Sequence, residues 1–184
     1  LSLLGRQQEL LESLQKTGKP LIVVYIEGRP LEKNWASEYA DALLTAYYPG
    51  QEGGNAIADV LFGDYNPSGR LPISVPRSVG QIPVYYNQKA PRNHDYVEVS
   101  SSPLYSFGYG MSYTTFEYSD LQVVQKSARC FEVSFKVKNT GKYDGEEVSQ
   151  LYMRDEYASV VQPMKQLKHF ERLNLKKGEE KKVI

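Results

Sequence analysis

The unbroken apolar run at residues 20–26, Pro-Leu-Ile-Val-Val-Tyr-Ile, constrains the fold of this chain more than any other segment. A strand that is apolar on both faces is typical of a parallel sheet covered by helices. A helical pattern precedes the run at residues 6–16, where Leu10, Leu11 and Leu14 share one face. The run and its neighbour therefore predict an α/β fold.

The following segments continue the alternation of helix and strand. Residues 33–44 predict a short helix that leads into a second apolar strand at residues 43–48. A third helix follows a glycine-rich turn, and its apolar face contains Ala56, Ile57, Val60 and Leu61. This order favours a partial parallel sheet in an α/β domain, which we place at residues 1–75.

The glycine-rich turn at residues 48–63, YPGQEGGNAIADVLFG, raises the question of a phosphate site. Glycines that open a helix after a strand often bind phosphate through free backbone N–H groups. A P-loop, however, requires Lys and then Ser or Thr, and here the glycines are followed by Asn55 and Ala56. The Glu52 carboxylate in the turn would repel phosphate while satisfying N–H groups at the helix start. The sequence therefore predicts a scaffold turn and argues against nucleotide binding.

Residues 76–115 are rich in Pro, Gly, Ser and Tyr and have no helical period. Loops of this length inside a compact protein are usually functional or linkers, so we expect a long, ordered connection packed on the first domain. Within it, His94-Asp95-Tyr96 with Glu98 could serve acid–base chemistry or form a hydrogen-bonding rim. A solvated loop with local turn hydrogen bonds is the alternative interpretation.

The pattern becomes β from Phe116 onward. Residues 130–141 alternate apolar and polar side chains, and further strands are predicted at residues 148–155 and 167–184. Short strands with regular turns favour an antiparallel sandwich at residues 116–184. This segment is shorter than the roughly 100 residues of such a sandwich, so we expect its last strands to be missing and both ends of the chain to be truncated.

Composition excludes several classes of function. The 22 basic and 22 acidic residues give no electrostatic case for binding nucleic acid or an anionic membrane. Cys130 is the only cysteine, which excludes an internal disulfide and a CxxC site. His94 and His169 lie far apart in sequence, so we expect no metal cluster and no cofactor. Fifteen tyrosines suit β-rich packing or a carbohydrate surface.

Several stretches, taken together, resemble glycoside hydrolase family 3, the β-glucosidase and β-xylosidase group. They are GRQQELL, GKPLIVVYIEGRPL, YYPGQEGGNAIADVLFGDYNPSGRLPISVPRSVGQIPVYYN, PLYSFGYGMSYTTFEYS, VKNTG, GEEVSQLYMRD and QLKHFERLNLKKGE. The resemblance implies a layout of catalytic (β/α)8 barrel, α/β sandwich domain and fibronectin type III-like domain. Residues 1–75 are then the later part of the sandwich domain, 76–115 the connection, and 116–184 an incomplete fibronectin-like domain.

The resemblance also implies retaining hydrolysis with an aspartate nucleophile on the barrel and a glutamate acid/base upstream of Leu1. Both groups then lie outside the chain, so we expect a non-catalytic portion of an exo-β-glycosidase and assign no catalytic residue. A stand-alone carbohydrate-binding or protein-interaction module is the alternative. The loop at residues 87–101 is predicted to shape a leaving-group subsite, and its candidate substrate-rim residues are Arg92, His94, Asp95 and Tyr96.

The remaining expectations concern partners and location. A β-linked oligosaccharide or glycoside and the absent barrel domain are the expected partners, with no nucleic acid and no membrane. Exposed sheet edges invite pairing with another chain, so we also expect oligomerisation. A periplasmic or secreted location is favoured by resemblance alone, and the preferred sugar, glucose or xylose, is not indicated.

Overall fold

The computed structural model describes residues 1–89 and 99–184 of the chain. These residues form two compact units, and each unit is assembled from separate stretches of sequence. The first comprises Leu1–Ala58, Leu71–Tyr109 and Met153–Gln166, and the second comprises Asp59–Arg70, Gly110–Tyr152 and Leu167–Ile184.

The helices and strands of the α/β region occur in the predicted order. They are α1 (Gln7–Gln15), β1 (Ile22–Tyr25), α2 (Asn34–Tyr39), β2 (Ala42–Thr45) and α3 (Gly53–Phe62), followed by a 3₁₀ turn at Val79–Gln81. Strands β1 and β2 pair in parallel, with Ile22 opposite Ala42 and Tyr25 opposite Thr45. The prediction of an α/β fold with a partial parallel sheet is thus confirmed. No described helix is both long and apolar enough to cross a membrane.

The core of the first unit lies on one face of β1. Leu21, Val23, Tyr25 and Ala36 are buried there, and Trp35 packs against them. On the opposite face Ile22 and Ile26 are exposed. Within the described residues, therefore, β1 is covered on one face only, although its sequence is apolar on both.

Helix α2 differs from the sequence expectation. Helix α2 ends at Tyr39 rather than near residue 44, because Ala40 adopts an extended conformation. The Asp41 carboxylate then accepts a hydrogen bond of 2.7 Å from the Leu21 backbone N–H. Beyond residue 70, Val75 and Tyr105 form an isolated antiparallel bridge.

The second unit carries the strands predicted from Phe116 onward. They are β3 (Phe116–Ser127), β4 (Cys130–Asn139), β5 (Gly145–Met153), β6 (Gln166–Leu175) and β7 (Glu180–Val183). One sheet has the order β3-β4-β7 and the other consists of β5 and β6. Pairing in the first sheet is antiparallel throughout, and a bulge interrupts β3 between Ser119 and Gln122. These antiparallel sheets confirm the predicted β-sandwich.

One end of this sandwich has a closed core around a buried asparagine. Val137 and Leu175 are fully buried there. The Asn139 side-chain amide donates hydrogen bonds to the Leu175 and Tyr143 carbonyls, at 3.1 and 2.8 Å. The Thr114 hydroxyl donates to the Asn139 carbonyl oxygen at 2.7 Å. A buried polar group with all partners in place fixes the strands and the following turn in one arrangement.

The other end of the sandwich is open. A cavity of about 370 Å³ lies between the two sheets. Its apolar walls are formed by Phe131, Val133, Phe135, Leu151, Val183 and Ile184. Cys130 and His169 contribute to the lining as well.

Candidate functional site

A buried ion pair lies where the apolar run of β1 ends. Lys33 donates a hydrogen bond of 2.5 Å to Glu27, and both side chains are almost completely buried. The Glu27 carboxylate also accepts a hydrogen bond of 3.1 Å from the Leu31 backbone N–H and one of 3.4 Å from the Thr45 hydroxyl. Charges buried at such depth persist only when they are paired and hydrogen-bonded. The pair therefore holds the loop that leaves β1 in one conformation.

Burial dominates the protonation equilibria of this cluster. Burial lowers the pKa of Lys33, and the neighbouring Glu27 opposes that shift. Burial raises the pKa of Tyr25, helped by the negative charge of Glu27, and it raises that of Tyr47 in the same way. The Lys33 ammonium also lies 4.6 Å from the centre of the Tyr25 ring, a favourable cation–π distance. Through these contacts Glu27 connects Lys33, the Leu31 backbone and Thr45, and so holds the loop that follows β1.

The loop braced by this pair presents exposed side chains at the carboxyl edge of the parallel sheet. Gly28 and Arg29 are exposed. The ring of Tyr48, which follows β2, packs against the backbone at Gly28. Tyr47 has a φ of 51°, a left-handed conformation that is uncommon for a residue other than glycine.

The glycine-rich turn behaves as a scaffold element. Gly50 has a φ of 70°, which glycine adopts without steric cost. The Glu52 carboxylate lies just before α3 and accepts a hydrogen bond of 2.8 Å from the Asn55 side chain. The sequence predicts that Glu52 satisfies backbone N–H groups at the helix start, whereas among the described hydrogen bonds its carboxylate accepts from the Asn55 side chain alone. Its negative charge beside the helix start disfavours phosphate.

A buried glutamine fixes the segments that flank the predicted rim loop. The Gln81 side-chain amide donates to the Ser101 and Ser102 carbonyls at 2.8 and 3.0 Å, and to that of Ser100 at 3.3 Å. Its carbonyl oxygen accepts a hydrogen bond of 2.8 Å from the Arg77 N–H. On the entering side, the Gln88 carbonyl accepts one of 2.8 Å from Met164. Both flanks of the loop are thus anchored.

The same flanks are attached to the loop that follows β1. The Glu32 carboxylate accepts a hydrogen bond of 2.9 Å from the Val79 N–H. The Asn34 side chain donates to the Arg77 carbonyl. Hydrogen bonds thus connect the edge of the sheet, the 3₁₀ turn and residues 100–102.

The predicted rim residues themselves, Arg92, His94, Asp95 and Tyr96, lie outside the described residues, so their role stays a prediction. Sequence reasoning missed Gln81 and Lys33, whose importance lies in side-chain contacts rather than in a motif. A charged residue placed directly after a buried strand was the only signal of the Glu27 cluster. Among residues 1–89 and 99–184, no group of three or more His, Cys, Asp or Glu side chains could hold a metal ion.

Comparison with known proteins identifies both regions. Residues 1–113 match the model of the glycosyl hydrolase family 3 C-terminal domain, and residues 147–184 match that of the fibronectin type III-like domain. A periplasmic β-glucosidase of Salmonella typhimurium is 50% identical over 96% of this chain, and a β-xylosidase of Formosa agariphila is 46% identical over all of it. The chain spans only 25% and 26% of those two proteins.

Solved structures show the same relationship. A β-glucosidase of Erythrobacter marinus superposes on the whole chain with a TM-score of 0.93 at 46% identity, and the match covers 25% of that enzyme. A Listeria innocua β-glucosidase in complex with isofagomine matches 96% of the chain with a TM-score of 0.89 at 40% identity, over 27% of its own length. The agreement extends from the parallel sheet to the last strand. The chain therefore belongs to glycoside hydrolase family 3, as a C-terminal portion that contains the family's C-terminal domain and a fibronectin type III-like domain.

Proposed function

We propose that this chain is the non-catalytic C-terminal portion of a retaining exo-β-glycosidase that hydrolyses terminal β-D-glucosyl or related residues. The observation that carries the proposal is the match of nearly the whole chain to about a quarter of each of several β-glucosidases and β-xylosidases. Both sugars occur among the relatives, so the proposal does not choose between glucose and xylose.

The chemistry of retention explains why the chain alone is proposed to be inactive. A retaining enzyme needs two carboxyl groups about 5–5.5 Å apart, one as nucleophile and one as acid/base. In our proposal both belong to the part of the relatives that this chain does not match. The most deeply buried carboxylate described here, Glu27, is occupied by Lys33 and Leu31 and supports that assignment.

Turnover of p-nitrophenyl β-glucoside and β-xyloside tests this proposal. The purified 184-residue chain should show none, whereas a longer protein that joins it to a family 3 barrel should be active. Hydrolysis by the chain alone, at a rate that survives repurification, would contradict the proposal.

We further propose that the loop at residues 87–101 shapes a leaving-group subsite through Arg92, His94, Asp95 and Tyr96. The anchoring of both its flanks through Gln81 and Gln88 supports this role, because subsites require positioned side chains. Alanine substitution of the four residues in the full-length enzyme should raise KM for disaccharides. Arg6→Ala, at the exposed residue that precedes α1, is the matched control. Unchanged kinetics on both aryl glycosides and disaccharides would refute the role.

A stand-alone carbohydrate-binding module is the second candidate, favoured by the exposed tyrosines, of which Tyr48 is 79% exposed. Calorimetry of the isolated chain with glucose, xylose and cello-oligosaccharides separates the two. A binding module should release heat on titration, and a non-catalytic portion should not.

Partners and location complete the proposal. The catalytic barrel is the principal partner, and exposed sheet edges such as those of the two-stranded sheet β1-β2 favour pairing with another copy. Sedimentation velocity tests the second point, since only compact monomer would contradict it. A periplasmic or secreted location is supported by the similarity to the periplasmic Salmonella enzyme.

A further inference from the structure

We propose that Tyr48 and Arg29 form a saccharide contact at the carboxyl edge of the parallel sheet, additional to the predicted rim loop. The proposal rests on the proposed function, because the sugar it contacts is the leaving-group part of a substrate held by the catalytic portion. Three features of the described residues support this contact.

The first observation is the packing of Tyr48. A Cβ added at Gly28 would contact the Tyr48 hydroxyl oxygen most closely and would lie 2.6 and 2.7 Å from Cε2 and Cζ of the ring. The ring thus lies directly on the glycine backbone, yet the residue remains 79% exposed. One side of the ring is therefore supported by the protein while much of the remainder faces solvent.

The second observation is the position of Arg29. It directly follows Gly28 and is exposed, and it makes no hydrogen bond or ion pair with any residue in the described ranges 1–89 and 99–184. An arginine offers five N–H donors in a fixed planar fork. Two neighbouring cations are engaged in contrast: Lys33 pairs with Glu27, and Arg77 donates to the Ser102 carbonyl.

The third observation is the set of hydrogen bonds that hold the backbone beneath both side chains. Arg29 lies in the loop that the Glu27–Lys33 pair braces through Leu31. Tyr48 follows Tyr47, whose left-handed backbone is fixed by a hydrogen bond of 3.2 Å from the Glu27 N–H to the Tyr47 carbonyl. Strained backbone that the surrounding structure maintains is concentrated at functional sites.

These features match the chemistry of a sugar. An exposed tyrosine ring offers an apolar face to the C–H groups of a pyranose and a hydroxyl for hydrogen bonding. The neighbouring guanidinium donates to ring hydroxyls. The position of Tyr48 and Arg29 also agrees with a ligand site, because ligands of open α/β sheets bind outside the carboxyl ends of the strands.

Kinetics of the full-length protein that carries this chain provide the test. The substrates are cellotriose and xylotriose, with a saccharide leaving group, and methyl β-glucoside and methyl β-xyloside, with a methyl group in its place. For Tyr48→Ala and Arg29→Ala we expect KM for the hydrolysed trisaccharide to rise roughly fivefold, as loss of one such contact implies. We expect kcat and the kinetics on the methyl glycoside to stay unchanged. Tyr157→Ala, at a 96% exposed tyrosine, is the matched control.

Gly28→Ala sharpens the test without removing either side chain. Gly28 does not have a positive φ, so alanine is compatible with the backbone, and the three atoms nearest to its methyl group all belong to Tyr48, which would have to move. This variant should reproduce the rise in KM of Tyr48→Ala, and the double variant should be no worse than either alone.

The outcomes are distinguishable. If the wild-type protein hydrolyses neither trisaccharide nor methyl glycoside, the proposed function is overturned and this contact with it. If the wild type is active and the variants match Tyr157→Ala in KM, the contact alone is overturned. A loss of thermal stability in Tyr48→Ala with unchanged KM also overturns it, because Tyr48 would then serve packing only.

Discussion

The two units contain ion pairs of similar length but different surroundings. Glu27 and Lys33 lie six residues apart and approach to 2.5 Å, with side chains 3% and 1% exposed. Arg70 and Glu147 are separated by 77 residues and also approach to 2.5 Å, with side chains 12% and 11% exposed. The distance between the charged groups therefore does not distinguish the two pairs. They differ in how deeply their side chains are buried and in the sequence separation of their members.

This difference shows what each pair does for its unit. The first pair shapes a short loop between neighbouring elements. The second connects the turn after α3 to β5, and it is reinforced by hydrogen bonds from Tyr65 to Glu146 and from Asn66 to the Asp144 carbonyl, both 3.0 Å. The second unit therefore consists of the fibronectin-like strands together with residues 59–70.

Breaking the deeper pair should have the largest effect. Lys33→Met leaves the Glu27 carboxylate buried without a cation, so the free energy of unfolding of the first unit should fall by about 3–5 kcal/mol. Urea denaturation followed by the fluorescence of Trp35, the only tryptophan and part of this core, measures the loss.

A double variant provides the control for that prediction. Glu27→Gln combined with Lys33→Met removes both charges and keeps an acceptor for the Leu31 N–H, so most of the stability should return. If Lys33→Met lowers the free energy of unfolding by less than about 1 kcal/mol, the pair does not hold the loop after β1.

Breaking the shallower pair should cost less. In Arg70→Met, Glu147 keeps a hydrogen bond of 2.9 Å from the Tyr118 hydroxyl and gains access to water, so we expect a loss of about 2 kcal/mol. Hydrogen exchange of the β4 amides reports on this unit. Arg172→Met removes an exposed partner of Glu146 and should cost less than about 1 kcal/mol. Equal losses of stability in Arg70→Met and Arg172→Met would contradict the conclusion that the Arg70–Glu147 pair contributes more than the exposed one.

The smallest effect concerns alkaline pH. Burial, followed by the charge of Glu147, raises the pKa of Tyr118 well above its usual range. Above about pH 10, unfolded Tyr118 loses its proton while the folded residue keeps it, so the unfolded state binds fewer protons and stability falls as pH rises. The residue is half exposed, so the slope should stay well below the ~1.4 kcal/mol per pH unit of one fully shifted group. Tyr118→Phe should flatten the hydrogen-exchange profile of β4 between about pH 9 and 11, and an unchanged profile would contradict this assignment.

The parts of the fold that follow from local pattern were predictable. The apolar run at residues 20–26 gave β1, and the spacing of Ala56, Ile57, Val60 and Leu61 gave α3. The end of α2 was not predictable, because it depends on the hydrogen bond that the Asp41 carboxylate accepts from the Leu21 backbone N–H, twenty residues away. Tertiary contacts of this kind override local propensity.

The candidate site was less predictable for the same reason. Gln81 is an ordinary polar residue in the sequence, and its role emerges only from carbonyls 19 to 21 residues away. Glu27 and Lys33 were visible as charges beside a strand, but their burial and pairing depend on how the loop folds back. Sequence patterns report which faces are apolar, and they do not report which polar atoms meet.

A single cysteine at the open end of the β-sandwich can report whether the cavity there is occupied. Cys130, the only thiol in the chain, is exposed and lines the cavity between the two sheets. Anything that fills this space would shield the sulfur, so the rate at which a maleimide or disulfide reagent labels Cys130 measures occupancy directly. Since no second thiol competes, that rate can be read in an unpurified mixture of assembly states without any engineered substitution.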